Sequence, residues 1–242
     1  TNEDGWLKRG LSTDYGYCKF AIMNPELTYT LPAYQTASGC TDIVVHTLER
    51  YFTAPDVHQL ELIDGIAETL LRTVIRNTSI ALNNPTNYNA RAEIMWAGTL
   101  SHNDTTGDRS FGDWSCHQLE HELSGMFGVA HGAGLASVWG SWARYVYKEN
   151  PHRFAQLATN VFNIPYNYEN IEATARAGIA AMESFFYHIG MPTTIHELIG
   201  KELSEEEIKT LAYKCSFMHT RTIGQFKVLQ LEDMENIYRA AK

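Results

Sequence analysis

The protein has 242 residues, of which 44% are hydrophobic and 19% are charged, the balance of an ordinary globular chain that can bury a sizeable core. Its formal net charge of −9 argues against a general electrostatic attraction to nucleic acid or to an anionic membrane. No apolar run is long enough to span a bilayer, and the four cysteines lie far apart without a C-x-x-C pair. We therefore expect a cytoplasmic protein without disulfides and with neither nucleic acid nor membrane as a partner.

Residues 1–40 differ from the rest of the chain because they lack helical periodicity. The segment KFAIMNP is a short apolar run closed by a turn signal, and LTYTLP alternates until Pro32 ends it. We expect an extended region here, with one or two short strands. The chain begins with Thr1 rather than Met, which favours a piece of a longer protein.

From Thr41 onward the apolar residues recur at helical spacing, which predicts an all-α domain of seven to nine helices. Thr41 is the expected N-cap of the first helix. Two capping boxes are predicted, from Ser115 to Gln118 and from Ser204 to Glu207. The other predicted helices lie within residues 57–82, 89–100, 135–148, 152–162, 171–190, 205–215 and 231–241.

Two pairs of metal-competent side chains stand out within these helices. Asp42 and His46 lie four residues apart, as do His117 and His121, so each pair shares one helix face. Apolar neighbours place both pairs toward the interior, where a carboxylate needs a cation or strong hydrogen bonds. Packed or solvated histidines are the ordinary alternative. A site of this composition would suit Zn²⁺, Fe²⁺, Ni²⁺ or Mn²⁺.

A further histidine, His131, follows in the segment AHGAGL. Gly132 and Gly134 are expected to let the backbone turn tightly, so that His131 points back at the preceding helix. The same glycines resemble the start of a dinucleotide-binding fingerprint, but the third glycine and the preceding strand are missing. The remaining histidines are expected to be structural or solvated: His58, His102, His152, His188, His196 and His219.

Three segments carry an ordered motif, D-x-x-x-H, then H-x-x-x-H, then HG: GCTDIVVHTLERYF, GDWSCHQLEHELSGMFGVAHGAGLASVWGSWARYV and the tail IGMPTTIHEL. Together with the upstream KRG and FAIMNPELTYTLP, they resemble the iron-containing (group III) alcohol dehydrogenase family, in particular its butanol-dehydrogenase-like branch. The resemblance implies that residues 41–242 form the family's C-terminal helical, dehydroquinate-synthase-like metal-binding domain. Residues 1–40 would then be the last segment of an α/β nucleotide-binding domain.

The resemblance also implies roles for individual residues. It places a divalent metal, Fe²⁺ or Zn²⁺, on Asp42, His46, His117 and His131. It assigns His121 to catalysis beside the nicotinamide and substrate rather than to the metal. The spacing alone would instead make His117 and His121 a pair of metal ligands. It places four residues on the NAD(P)H side: Lys8, Thr30, Leu31 and His121.

The implied activity is reversible hydride transfer between a primary alcohol and NAD(P)⁺ in a homodimer with butanol-like substrates. The family's G-G-G-S phosphate loop has no counterpart here, so we expect the isolated chain to be inactive. Two alternatives remain open. One is a metal-dependent hydrolase with Glu120 or Glu122 as the base toward a metal-bound water, although the order H-E-x-x-H is not met. The other is a helical structural or oligomerisation module with an accidental histidine cluster.

Overall fold

The computed structural model describes residues 1–10, 13–16, 18–54, 61–108 and 110–242. Within these ranges the chain forms ten α-helices, three 3₁₀ turns and isolated β-bridges, without a β-strand. The α-helices are α1 (Ala33–Tyr51), α2 (Glu61–Asn83), α3 (Tyr88–His102), α4 (Ser115–Phe127), α5 (His131–Val146), α6 (Pro151–Phe162), α7 (Ile171–His188), α8 (Ile195–Ile199), α9 (Glu205–Cys215) and α10 (Leu231–Ala240).

The expected mainly α fold is confirmed, and the described ranges hold one helix more than predicted. The additional helix is α8, which begins where the Thr194 side chain accepts a hydrogen bond from the Glu197 backbone N–H. Five residues are too few to show helical periodicity in a sequence. His58 and the start of the second predicted helix lie outside the described residues.

The short strands expected in residues 1–40 are absent from the part of that segment that the structure describes. Two 3₁₀ turns occur there instead, Asp14–Gly16 and Pro25–Thr28. Asn24 caps the second turn by accepting a hydrogen bond from the Glu26 backbone N–H, and Pro25 follows in the position where its missing N–H costs nothing. The asparagine and proline therefore define a turn in what reads as an extended apolar run.

The first helix begins earlier than Thr41, and that prediction is wrong. Pro32 is the N-cap of α1, and Thr41 lies buried in the middle of the helix, where its hydroxyl donates to the Ala37 carbonyl oxygen at 3.0 Å. The first turns of α1 consist of small and polar residues, so no apolar period marks them. The expected division after residue 40 falls inside this helix.

Of the two predicted capping boxes, one is confirmed. Ser204 and Glu207 exchange reciprocal hydrogen bonds at the start of α9. At the start of α4 the N-cap is Trp114 in a left-handed conformation, and Ser115 is already helical. The backbone N–H of Ser115, which has no partner within the helix, donates instead to the side chain of Asp113.

The helix α5 lies at the centre of the fold. It packs against α1, α4, α7 and α10, and its side chains Leu135, Val138, Trp139 and Trp142 are completely buried. No described helix combines the length and the apolar character needed to cross a bilayer.

Two glycines in α5 allow close approach between helices rather than the tight turn expected from the sequence. A Cβ atom at Gly132 would overlap the carbonyl oxygen of Ser38 in α1, and one at Gly134 would lie 2.7 Å from the side chain of Glu120 in α4. The turn between α4 and α5 relies on Gly128, whose φ of 66° lies in the left-handed region. Both glycines therefore bring the first turn of α5 against α1 and α4.

Candidate metal centre

Three helices bring the four predicted ligands together. Asp42 and His46 come from α1, His117 from α4, and His131 is the first residue of α5. The Oδ1 atom of Asp42 lies 3.1 Å from His46 Nδ1, 3.4 Å from His131 Nε2 and 3.6 Å from His117 Nε2. The two imidazoles of His46 and His117 approach each other to 3.0 Å.

The arrangement fits a divalent cation. Donors bound at about 2.0–2.1 Å to a tetrahedral ion lie roughly 3.3–3.4 Å from one another, close to the separations around Asp42. Among the described residues, the buried Oδ1 atom of Asp42 has no hydrogen-bond partner. A buried carboxylate oxygen without a donor is costly, and a cation among the three imidazole nitrogens would compensate for it.

Two buried glutamates bind the Nδ1 atoms of two of the predicted ligand imidazoles. Glu49 accepts a hydrogen bond from His117 Nδ1, and Glu120 accepts one from His131 Nδ1. Both carboxylates are 0% exposed. Each holds a proton on Nδ1 and turns Nε2 toward Asp42, so that Nε2 is the nitrogen that would face a cation, as in carboxylate–histidine–metal sites.

The charges in this cluster also match a divalent ion. Asp42, Glu49 and Glu120 supply three negative charges, and Lys8, whose Nζ lies 3.2 Å from Glu120, supplies one positive charge. The two negative charges in excess would be neutralised by one M²⁺ ion. In the metal-free chain a proton takes over part of this role, because Glu49 raises the pKa of His117 to about 9 against the effect of burial.

The pKa of Asp42 is likewise set by its neighbours. Burial alone would raise it, but the imidazoles around the carboxylate, those of His102, His117 and His46, favour its ionised form, outweigh burial and hold the pKa of Asp42 well below its usual range. Burial lowers the pKa of His46. The site therefore combines an ionised carboxylate with a neutral imidazole, the protonation states that metal binding requires.

His121 faces the same cavity but stands apart from Asp42. Its ring centroid lies 5.6 Å from that of His131 and 6.5 Å from that of His117. Burial, followed by the positive charge of Lys8, lowers the pKa of His121 to about 4. Its ring makes no hydrogen bond to any part of the chain that the structure describes, so it is free to meet a bound molecule.

The cluster opens into a cavity of about 650 Å³. Trp114 forms one wall, with its ring edge-on to His46 and His117. Phe217 also lines the cavity, with the guanidinium groups of Arg9 and Arg221 over its ring. The cavity therefore joins the candidate metal centre to aromatic and cationic side chains, a lining suited to a small polar molecule.

The residues predicted on the cofactor side are not all in this cavity. Lys8 lines it and contacts both Glu120 and His131 Nδ1, the latter at 3.0 Å. Thr30 and Leu31 are exposed directly before α1 and are not among the described residues that line the cavity. Their role stays a prediction.

A larger groove of about 810 Å³ lies between α2 and α3, away from this cluster. Its described lining is mainly apolar, including Leu62, Ile66, Trp96 and Leu100, with Glu61 and Glu93 as its acidic side chains. Since no histidine or cysteine is among these lining residues, the smaller histidine-lined cavity is the better candidate for chemistry.

A model of the C-terminal part of the Fe-containing alcohol dehydrogenase family matches residues 36–242 of this chain. The chain belongs to the iron-containing alcohol dehydrogenase family. The expected membership of this family is thereby confirmed.

Curated relatives within the iron-containing alcohol dehydrogenase family support this. NADH-dependent butanol dehydrogenase A of Clostridium acetobutylicum is 35% identical over 99% of this chain, which covers 59% of that relative. The NADPH-dependent aldehyde reductase YqhD of Escherichia coli is 34% identical over 92% of this chain, which covers 56% of that relative. The chain thus spans less than two thirds of the length of these relatives.

A solved structure of the family has the same fold. NADH-dependent butanol dehydrogenase A from Thermotoga maritima superposes with a TM-score of 0.90 at 33% identity, and the match covers 100% of this chain and 60% of the other. The helical fold described above is therefore the fold of the corresponding part of this dehydrogenase.

Sequence reasoning missed three residues around the centre of this family member. Glu49 and Glu120 each follow a predicted ligand by three positions, His46 and His117 respectively, so an H-x-x-E pattern on the two helices could have indicated them. His102 was grouped with the structural or solvated histidines, but its ring stacks on that of His46 with 3.9 Å between centroids. It comes from α3, and no local spacing connects it to the predicted ligands.

Proposed function

We propose that this chain is the metal-binding catalytic domain of an NAD(P)H-dependent alcohol dehydrogenase that interconverts a primary, butanol-like alcohol and its aldehyde. The single observation that carries the proposal is the buried Oδ1 atom of Asp42, which lies among three imidazole nitrogens at the end of a cavity. The proposed ligands of Fe²⁺ or Zn²⁺ are Asp42, His46, His117 and His131. The activities named for the relatives support the reaction type.

The bound cation would supply Lewis-acid polarisation of the alcohol or aldehyde oxygen. The chain's own residues prepare the site for it. Glu49 and Glu120 fix the rings of His117 and His131 so that each presents an unprotonated Nε2. Burial of both carboxylates keeps water from competing for these two hydrogen bonds.

His121 is the proposed catalytic residue. Its lowered pKa keeps the ring neutral at pH 7, so one nitrogen carries a proton and the other accepts a hydrogen bond. In this state the ring can orient a substrate hydroxyl or the nicotinamide amide and exchange one proton with the substrate oxygen. Trp114 and Phe217 line the same cavity.

The dinucleotide would lie on the side of Lys8, Thr30, Leu31 and His121. The names of the relatives support NADH or NADPH as the hydride donor, and the part of those proteins beyond the matched segment is the proposed carrier of the phosphate-binding loop. The proposal includes a homodimer and a cytoplasmic setting, the latter because all four cysteines are free thiols.

The hydrolase alternative needs either Glu120 or Glu122 as its base, and the contacts of Glu120 do not favour that role. Both oxygens of Glu120 are engaged, by Ser124 on one side and by His131 and Lys8 on the other. Glu122 is ion-paired with Arg9 at 2.8 Å. Glu120, therefore, has no oxygen left to take a proton from water.

Metal analysis of purified variants tests the division of roles. His117→Ala should abolish binding of Zn²⁺ or Fe²⁺, whereas His121→Ala should keep the metal and lower turnover in a chain that also contains the dinucleotide-binding part. Equal loss of metal in both variants would show that the roles are assigned wrongly. The 242-residue chain alone should not reduce butyraldehyde with NAD(P)H, and measurable reduction would contradict the proposed need for a second part.

A further inference from the structure

Among the described residues, one lysine and three arginines line the cavity at the candidate metal centre. Three of these four cations have an acidic partner, in the pairs Lys8–Glu120, Arg9–Glu122 and Arg50–Asp104. The fourth, Arg221, makes no ion pair within the part of the chain that the structure describes. The cavity therefore carries a positive charge that these residues do not pair.

The partners of Arg221 are neutral groups. Its Nε atom donates to the Cys215 carbonyl oxygen at 2.9 Å, and its Nη2 atom donates to Gln118 Oε1 at 2.6 Å. Its guanidinium carbon lies 3.4 Å from the centre of the Phe217 ring. Burial lowers the pKa of Arg221, as expected for a half-buried cation, and a bound anion would offset this cost.

The turn that carries Phe217 into the cavity is strained. Phe217, Met218 and His219 have φ angles of 47°, 56° and 67°, in the left-handed region that residues other than glycine seldom adopt. Ser216 holds this turn, because its hydroxyl accepts from the His219 backbone N–H at 3.1 Å and its carbonyl oxygen accepts from that of Arg221 at 3.0 Å. Backbone strain of this kind occurs preferentially at functional sites, which supports a role for this wall of the cavity in binding.

Arg221 is also connected to the metal centre. Its partner Gln118 directly follows the proposed ligand His117 on α4. The cavity thus contains a centre suited to an alcohol oxygen, the aromatic rings of Trp114 and Phe217, and a guanidinium group. The oxygen, the methylene groups and the carboxylate of one small molecule would fit these three features. Guanidinium groups bind carboxylates strongly because charge and hydrogen bonds act together.

We propose that Arg221 is a substrate-binding residue that recognises a carboxylate at the far end of the substrate, so that the preferred alcohols are hydroxy acids with a terminal hydroxyl group. The inference rests on the proposed function, because it uses the same cavity and the same metal centre. It refines the butanol-like substrate class to chains of similar length that end in a carboxylate.

Three variants test this role. Arg221→Gln removes the charge, and Arg221→Lys keeps the charge but loses the planar fork of donors. Arg72→Gln is the matched control, because Arg72 on α2 also donates to neutral groups, the Asn160 carbonyl oxygen and the Thr69 hydroxyl. Arg72 is not among the described residues that line the cavity.

The probes are 4-hydroxybutyrate and butan-1-ol, which differ at the end away from the hydroxyl group. Their dissociation constants are measured by NMR titration of the Zn²⁺-loaded 242-residue chain. We expect 4-hydroxybutyrate to bind at least about tenfold more tightly than butan-1-ol. Arg221→Gln should remove this difference without weakening butan-1-ol, Arg221→Lys should keep part of it, and Arg72→Gln should leave it unchanged.

A second measurement determines the orientation of 4-hydroxybutyrate in the unmodified chain. Paramagnetic Co²⁺ in place of Zn²⁺ relaxes nearby protons most strongly, so the CH₂ group beside the hydroxyl should relax faster than the one beside the carboxylate. Faster relaxation beside the carboxylate would mean that the carboxylate binds the metal, and it would overturn the inference. This measurement needs no variant, so the inference stays testable if Arg221→Gln does not fold, which its melting temperature shows.

The outcomes separate the inference from the function on which it rests. An unmodified chain that binds neither Zn²⁺ nor Co²⁺ would overturn the proposed metal centre and the inference with it. A metal-loaded chain in which Arg221→Gln leaves 4-hydroxybutyrate binding unchanged would overturn the role of Arg221 alone. If Arg221→Gln instead weakens only the binding of ADP-ribose, the arginine binds a dinucleotide phosphate, and the assignment to a substrate carboxylate is wrong.

Discussion

Replacing Glu49 by Gln should reverse the orientation of the His117 proton. In the structure, Oε1 of Glu49 accepts hydrogen bonds from the backbone N–H groups of Cys116, at 2.6 Å, and His117, at 3.4 Å, while Oε2 accepts from His117 Nδ1. A glutamine of the same shape must keep its oxygen on the backbone donors. Its NH₂ group then faces the N–H of the His117 ring.

Two donors facing each other in a completely buried position cannot both be satisfied. The His117 ring can relieve this by carrying its proton on Nε2 and accepting at Nδ1, but Nε2 then has no lone pair for a cation. Loss of an outer-shell partner costs about 10- to 100-fold in metal affinity, equivalent to about 1.4–2.8 kcal/mol. Because the tautomer itself changes, we expect a loss near the upper end of this range.

The assay is competition between the chain and a chromophoric chelator for Zn²⁺ at neutral pH. Glu68→Gln is the matched control, because Glu68 is also buried and accepts hydrogen bonds from neutral side chains, those of Tyr51, Gln156 and Asn160, away from the centre. The control should bind Zn²⁺ like the unmodified chain. If the Zn²⁺ affinity of Glu49→Gln lies within about threefold of that of the unmodified chain, the Glu49 carboxylate does not set the His117 tautomer and the reasoning fails.

Three further predictions concern stability and titration. Thermal scans should show a lower melting temperature after chelation, because a cation bound only to the folded chain adds about 4 kcal/mol at a free concentration a thousandfold above Kd. Burial and Lys8 lower the pKa of His121 from 6.5 to about 4, so NMR titration of the metal-free chain should place its midpoint near 4. The folded chain holds this ring neutral, so the free energy of unfolding should decrease as pH falls from about 6.5 to 4. Gly132→Ala should lower the melting temperature because its Cβ overlaps Ser38, whereas Gly65→Ala, which meets no atom within 4 Å, should raise stability by up to about 1 kcal/mol.

The proposed ligands could be found from the sequence because most of their geometry is local. Asp42 and His46 share a helix face whatever surrounds them, and His117 and His131 are joined by one short turn. Spacing alone suggested His121 as a metal ligand, whereas the family motif assigned it to catalysis. His102 could not be found in this way, because its approach to Asp42 depends on how α3 packs against α1.

The errors in the helix boundaries have a similar origin. Thr41 has the side chain of an N-cap but lies buried within α1, where its hydroxyl bonds to the preceding turn. Ser115 has the residue type of a cap as well, yet Asp113 takes that role from outside the helix. In both cases a residue type that can start a helix is not enough, because the neighbouring turn of the chain offers its hydroxyl or its backbone N–H another partner.

The packing of α5 links the fold to the proposed chemistry. His131 is the first residue of α5, and its Nε2 reaches to 3.4 Å from Asp42 Oδ1. That separation requires the first turn of α5 to touch both α1 and α4. The contact is possible because positions 132 and 134 are glycines, which have no Cβ atom to collide with these helices. If this turn moved away from Asp42 by about one ångström, the distance between His131 Nε2 and Asp42 Oδ1 would exceed the roughly 3.3–3.4 Å that separates two donors on one tetrahedral ion. Gly132 and Gly134 therefore support the proposed metal centre through helix packing.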